Sequence, residues 1–173
     1  MTANLPHLAV IGMGANLGNA CETLDAAVQA LKSHERTADW QLSPLYRTAP
    51  IGAETAQPDY INAVAICRTD LSPEAVMHWL LDTERHFGRN RSHDVARNAA
   101  RTLDLDLLLY DDLIMDTALL VLPHPRLHER AFVLRPLSDL APDLVIPGQG
   151  SVRCLLPNVS DQIIHPLEGN NRP

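Results

Sequence analysis

The chain is poor in lysine, aromatic residues and cysteine, and each shortage narrows what it can be. Lys32 is the only lysine among 14 basic residues, and the formal net charge is -7. A general nucleic-acid surface usually makes a domain basic, so no nucleic-acid partner is expected. Aromatic residues make up 4 % of the chain, too few to spread base-stacking faces over a sheet. The three cysteines, Cys21, Cys67 and Cys154, are far apart and odd in number, which argues against a disulfide frame or a zinc site. No window approaches 18 apolar residues, and MTANLPHLAVIGMGANLG has no basic start followed by an apolar signal core. No membrane association is therefore expected, and the expected location is cytoplasmic. GxxxxGK followed by Ser or Thr does not occur, and GMGANLG does not space Gly12, Gly14 and Gly18 as GxGxxG. Both a P-loop and a dinucleotide-binding turn are set aside on that ground.

What the chain does have is arginine in one place. Arg85, Arg89, Arg91, Arg97 and Arg101 fall within one short segment, with His86 and His93 among them. Guanidinium grips phosphate oxygens in a planar, bidentate way, which a lysine cannot do. The segment runs directly into RTLDLDLLLY, Arg101 to Tyr110. Side chains alternate along a strand, so Leu103, Leu105 and Leu107 share one face while Asp104 and Asp106 share the other, roughly 7 Å apart at Cα. Two carboxylates at that spacing suit a pair of hard divalent cations about 4 Å apart, the arrangement that clamps the oxygens of a transferring phosphoryl group. Arginines and metal-held anions would then meet on one triphosphate.

With 173 residues and 46 % hydrophobic content, residues 1–173 are expected to form one domain. Strands are expected at His7 to Gly14, Gln41 to Thr48, Tyr60 to Thr69 and Arg101 to Tyr110. Pro44 places the second at an edge or a bulge. Leu24, Ala27, Val28 and Leu31 give helical spacing within Ala20 to Ser33. Ser72 and Pro73 start a second helix that runs to about Phe87 and ends at Gly88. Leu113 to Met115 is expected to return as a short partner of the fourth strand, and a short helix is expected near Arg130 to Leu140. Strand, helix, strand, strand, helix, strand is an α+β, ferredoxin-like order: a mainly antiparallel sheet with helices packed on one face. A C-terminal extension then adds irregular cover.

Four ordered blocks carry a resemblance. They are YRTAPIG (Tyr46 to Gly52), QPDYINA (Gln57 to Ala63), RTLDLD behind its arginine-rich segment, and LPHPRLHERAFVLRPL (Leu122 to Leu137). Together they resemble the 6-hydroxymethyl-7,8-dihydropterin pyrophosphokinase family of folate biosynthesis, over residues of roughly 8 to 147. The resemblance implies a ferredoxin-like core and the small-molecule substrates ATP and 6-hydroxymethyl-7,8-dihydropterin. It also implies two Mg²⁺ ions and transfer of the β,γ-diphosphate of ATP to the pterin hydroxymethyl group, leaving AMP.

Residue by residue, it implies that Asp104 and Asp106 hold the two metal ions. Arg89, Arg91 and Arg101 match phosphate-contacting arginines with catalytic weight, and Arg97 matches a basic residue of a mobile loop. Leu107, His124 and Arg130 match further ATP contacts. Thr48, Pro50 and Ile51 match the loop that lines the pterin pocket, with Asn16 near it. Tyr60 and Phe132 match its stacking positions and Asn62 the position that reads the pterin edge. A flat pterin with an amide and amine edge requires just such aromatic faces and a side-chain amide. Asn98, Ala99 and Ala100 stand where several relatives carry Trp, Gly and Pro, so the 88–101 loop is expected to close differently over the substrates. Binding of ATP with Mg²⁺ first, then pterin, then loop closure is the expected order, in a monomer. Two other readings stay open at this point. One is a non-catalytic ferredoxin-like module that binds RNA or a nucleotide. The other is a metal-dependent phosphotransferase for a different hydroxymethyl heterocycle.

Overall fold

The computed structural model describes residues 5–50, 56–88 and 101–167. Its centre is the strand β1 (His7–Ala15), whose two faces are both covered. Ala9, Ile11, Met13 and Ala15 enter one apolar cluster and Val10 enters another, which is why the segment reads as a nearly continuous apolar run. Helix α1 (Ala20–Lys32) follows, capped by the Asn19 side chain, which accepts a hydrogen bond from the Glu22 N–H. Leu24, Ala27, Val28 and Leu31 are its buried residues, as their spacing predicts.

The expected second strand divides. β2 (Thr37–Leu42) and β3 (Tyr46–Thr48) both pair antiparallel with β4 (Tyr60–Thr69), and residues 43–45 separate them. Pro44 has no N–H to give to a ladder, while Ser43 satisfies itself against β4: its N–H donates to the Val64 carbonyl and its hydroxyl accepts from the Val64 N–H, each at 2.9 Å. Leu45, fully buried, turns inward at the break. Helix α2 (Pro73–His86) has Ser72 as its cap and ends before Gly88, whose φ of +84° suits glycine.

The strand β5 (Asp104–Tyr110) is three residues shorter than expected and lies at the sheet edge beside β1. The short β6 (Met115–Asp116) pairs with β7 (Val121–Leu122), not with β5. Asp111 explains the departure. Its backbone N–H donates to the Leu8 carbonyl, and its carboxylate takes the Leu8 N–H and the His7 ring, so the chain leaving β5 is tied back to β1 and does not fold into a hairpin on β5.

All pairings in the main sheet are antiparallel, and its path runs β3, β4, β1, β5, with β2 also on β4 and the late β10 (His165–Pro166) on β3. This is the ferredoxin-like order. Helices α1 and α2 cover one face, where Leu24, Leu31, Val76 and Leu80 meet Ile11, Ala65, Leu105 and Leu107. The other face is covered in part by α3 (Ala131–Leu140), whose Leu134 and Leu137 pack with Val10, Val64, Ile66 and Leu108. Beyond it, the hairpin of β8 (Val145–Ile146) and β9 (Gly150–Ser151) and the short α4 (Val152–Leu155) extend this second layer. Helices thus lie on both faces, because the C-terminal third supplies the second layer.

Candidate active site

The apolar layer under α3 ends partway along the sheet, and the residues that follow on the same face are polar or are glycine. Register gives the arrangement directly. Asp104 of β5 is opposite Gly14 of β1, Gly14 is opposite Asn62 of β4, and Asn62 is opposite Tyr46 of β3. In the adjacent row Asp106 is opposite Gly12, and Gly12 is opposite Val64. Directly opposed residues share a face. Two carboxylates on one edge strand and the Asn62 amide two strands away therefore look across a floor of two glycines.

That floor is tight where it touches Asn62. A Cβ on Gly14 would stand 3.2 Å from Asn62 Oδ1. Gly14→Ala is therefore expected to raise the pterin KM roughly tenfold, since displacing a buried hydrogen-bonding amide costs about 1–3 kcal/mol, while the ATP KM stays near its starting value. Steady-state kinetics with each substrate varied in turn checks this, and an unchanged pterin KM would contradict it.

Asn62 is buried, and its Nδ2 donates to Thr48 Oγ1 at 2.9 Å, which fixes the orientation of the amide. Tyr60, half-buried, opposes Thr48 on that face. Three of the expected pterin contacts thus meet on neighbouring strands. Phe132 lies in the first turn of α3, with the Arg130 guanidinium 5.4 Å from its ring centre, and the buried Tyr46 hydroxyl donates to Asp139 of the same helix, tying α3 to β3. Pro50 is half-buried, and Ile51 lies outside the described residues.

On the carboxylate side, Arg101 Nη1 donates to Asp104 Oδ2 at 2.6 Å. Its Nε is buried without a partner among the described residues, so this guanidinium has hydrogen-bonding capacity that the fold leaves unused. Asp106 has its carboxyl pushed up to about 7, first by burial, then by the charges of Asp104 and Glu84; Arg130 and Arg101 pull the other way. Glu84 is a residue that sequence reading missed. It comes from α2, is 1 % exposed, and its Oε1 accepts the N–H of Leu105 at 2.8 Å. Leu105 sits between the two aspartates on an edge strand, so Glu84 satisfies a backbone group that no further strand can reach. The only signal for it was a charged residue three positions from Phe87, which looks like any surface acid near a helix end.

His124 is held beside β5 by its own N–H, which donates to the Leu108 carbonyl at 2.9 Å. Burial, then the nearby Arg130 charge, lowers its ring to about 4, so the ring is neutral at neutral pH. Its Nδ1 accepts the Arg126 N–H, which leaves Nε2 as the protonated, donating nitrogen. Arg130 lies within electrostatic reach of Asp104, Asp106 and His124. Leu107 points its side chain to the opposite face with Leu103 and Leu105, so the expected ATP contact falls to its backbone. Arg89, Arg91 and Arg97 lie outside the described residues, as do Asn98, Ala99 and Ala100.

Two clefts among the described residues are set apart from the β5 carboxylates. One, of about 530 Å³, is lined by Asn16, Cys21, Arg47 and Ile61, and the other, of about 620 Å³, by Arg135, Arg153 and Ile163 among others. Neither includes an aspartate of β5. Among the described residues no helix is long and apolar enough to cross a membrane.

Comparison with known proteins gives one answer. The family model for 7,8-dihydro-6-hydroxymethylpterin-pyrophosphokinase (HPPK) matches residues 10–142. A 2-amino-4-hydroxy-6-hydroxymethyldihydropteridine pyrophosphokinase of Haemophilus influenzae is 39 % identical over 153 residues, covering 88 % of this chain and 93 % of that one. Its namesake from Synechocystis is 40 % identical over 149 residues, covering 83 % and 71 %. Among solved structures, an HPPK-DHPS in complex with substrates aligns with a TM-score of 0.65 at 12 % identity, over 90 % of this chain and 44 % of that one. Wild-type Plasmodium falciparum HPPK-DHPS with pteroate aligns with a TM-score of 0.66 at 12 % identity, over 87 % and 44 %. The chain thus spans under half the length of those structural neighbours, which share its fold. Fold, family model and full-length relatives agree: the chain belongs to the 7,8-dihydro-6-hydroxymethylpterin-pyrophosphokinase family of transferases.

Proposed function

We propose that the chain transfers the β,γ-diphosphate of ATP to the hydroxymethyl oxygen of 6-hydroxymethyl-7,8-dihydropterin, releasing AMP, as a step of folate biosynthesis. The observation that carries this reading is the single row Asp104, Gly14, Asn62 on one sheet face. It sets a heterocycle-reading amide and a metal-binding carboxylate on the two strands that flank β1, across one open floor.

Asn62 and Thr48 read the amide and amine edge of the pterin, and Tyr60 and Phe132 take its faces. Arg101, with an unused buried Nε, and the neutral His124, with Nε2–H as donor, hold phosphate oxygens. Arg130, Arg89, Arg91 and Arg97 add to that grip, and Arg89 and Arg91 act with Arg101 on the transferring group. The donor set on β5 fits Mg²⁺. Burial and the like charges of Asp104 and Glu84 hold the Asp106 carboxyl up despite Arg130 and Arg101, and no group of three or more ligating side chains forms a cage among the described residues. A cation that takes one or two carboxylates and completes its shell with phosphate oxygens and water is Mg²⁺ in character. Held by Asp104 and Asp106, two such ions would neutralise charge on the triphosphate as the bridge to the α-phosphate breaks. The chain's own work is positioning: the pterin oxygen is held in line with the β-phosphorus, and the amide, imidazole and guanidinium donors are already fixed by the fold.

The test is the product. Purified protein incubated with ATP, Mg²⁺ and the pterin is expected to yield AMP and pterin diphosphate in equal amounts by chromatography. ADP with a pterin monophosphate would replace this reading with a simple kinase.

A further inference from the structure

Among the described residues, the buried Asn16 side chain, which follows β1 immediately, bonds to the segments that lead into both halves of the site. It is 2 % exposed. Its Nδ2 donates to Gln57 Oε1 and to the Pro58 carbonyl, both at 3.1 Å. Its Oδ1 accepts the Arg101 N–H at 2.8 Å, and its own N–H donates back to the Arg101 carbonyl at 3.0 Å. The Leu17 N–H shares that carbonyl at 3.3 Å. Gln57 and Pro58 lead directly into Tyr60 and Asn62, and Arg101 leads into Asp104. One amide, with its donors on one segment and its acceptor on the other, therefore fixes the segments that precede both strands flanking β1.

We infer that Asn16 is a positioning residue that couples the pterin strand to the phosphate and metal strand. This rests on the function proposed above. The physical content is geometric. The Arg101 backbone cannot shift without pulling on Asn16 Oδ1, and Asn16 cannot shift without disturbing Pro58 and Gln57, four and five residues from the amide that reads the pterin. A planar amide serves where its isosteres fail. Aspartate keeps the acceptor but sets a carboxylate oxygen against the Pro58 carbonyl, and leucine keeps the volume but leaves the Arg101 N–H and the Pro58 carbonyl unmet. Linked sites of this kind show coupling that is reciprocal, typically about 5- to 150-fold in affinity.

The experiment measures the pterin Kd by calorimetry, with and without Mg²⁺ and a non-hydrolysable ATP analogue, in the natural protein, Asn16→Asp and Gln57→Ala. Gln57→Ala removes one bond of the same hub from its half-buried end and keeps the inference testable should Asn16→Asp fold poorly. The expected result is a clear tightening of pterin binding by the nucleotide in the natural protein, reduced at least fivefold in Asn16→Asp and in part in Gln57→Ala. A purely structural role would lower Tm and both affinities but preserve the ratio, and a preserved ratio in a folded variant overturns the inference. So does a natural protein that binds both ligands with no coupling. A natural protein that binds neither overturns the proposed function itself, before Asn16 enters.

Discussion

Asp106→Asn is expected to abolish diphosphoryl transfer, by a factor of about 10³ or more, and at the same time to make the ligand-free protein more stable at pH 8. The two effects have one origin. Burial and the charges of Asp104 and Glu84 raise the Asp106 carboxyl to about 7, far above its value in an unfolded chain. Between about pH 4 and 7 the folded state holds a proton that the unfolded state has released. Stability of the ligand-free protein therefore falls as pH rises through that window, and the loss is complete above it. A neutral amide of the same shape avoids the penalty, on the order of 2–4 kcal/mol, which for a chain of this size is worth about 2–4 °C in Tm per kcal/mol. His124 has the opposite sign. Its lowered pKa means that stability is lost as pH falls from its unfolded value toward 4, but that contribution is common to both proteins and cancels in the comparison. Thermal unfolding from pH 5 to 8 checks the stability arm and product formation the catalytic one. A variant that loses activity and also loses stability at pH 8 would mean that Asp106 is held for the fold and not for a cation. Metal has to displace the proton from Asp106, so the apparent Mg²⁺ requirement should rise by about tenfold per pH unit below 7.

Arg101→Gln is expected to separate two kinds of binding that usually fall together. Arg101 pairs with Asp104 at 2.6 Å, with both side chains largely buried. Removing the guanidinium takes a positive charge from the carboxylates, so Mn²⁺ alone should bind about tenfold more tightly, a modest share of the roughly 4 kcal/mol that two unit charges 4 Å apart feel at the effective dielectric of such a site. Transfer should nevertheless fall by about 10²- to 10³-fold, the usual loss on removing one donor to a developing charge. Titration with Mn²⁺ followed by water-proton relaxation, beside single-turnover kinetics, separates the arms. Weaker metal binding in Arg101→Gln would contradict the expectation that the Arg101 guanidinium opposes a cation at Asp104.

Much of this was legible in the chain. The Asp104 and Asp106 pair could be read because strand alternation is a rigid rule and the intervening leucines declare the buried face. α2 could be read from Ser72, Pro73 and Gly88, each of which acts through local backbone chemistry. The division of Gln41 to Thr48 could not be read because a short apolar run through one proline does not reveal that Ser43 bonds to Val64 through both its backbone N–H and its hydroxyl. Leu113 to Met115 was misread because the turn residue Asp111 is claimed by His7 and Leu8, about a hundred residues earlier in the chain, and no local pattern carries that contact. Glu84 and the polar bonds of Asn16 were out of reach for the same reason: each becomes visible only when segments distant in sequence are side by side. Gly12 and Gly14 fall within the expected first strand, His7 to Gly14, where nothing local marks them out. Gly12 and Gly14 proved to be the floor of the site, a role that depends on β4 and β5 being their neighbours.

The central assignment is that metal and triphosphate gather on the β5 carboxylates. Electron paramagnetic resonance of Mn²⁺ with a non-hydrolysable ATP analogue tests it most directly. The expected result is a spin-coupled pair of Mn²⁺ ions in the natural protein, lost in Asp106→Asn while the folded protein persists. The same coupled pair in Asp106→Asn and in Asp104→Asn would contradict it, since the metal and the triphosphate would then be held elsewhere.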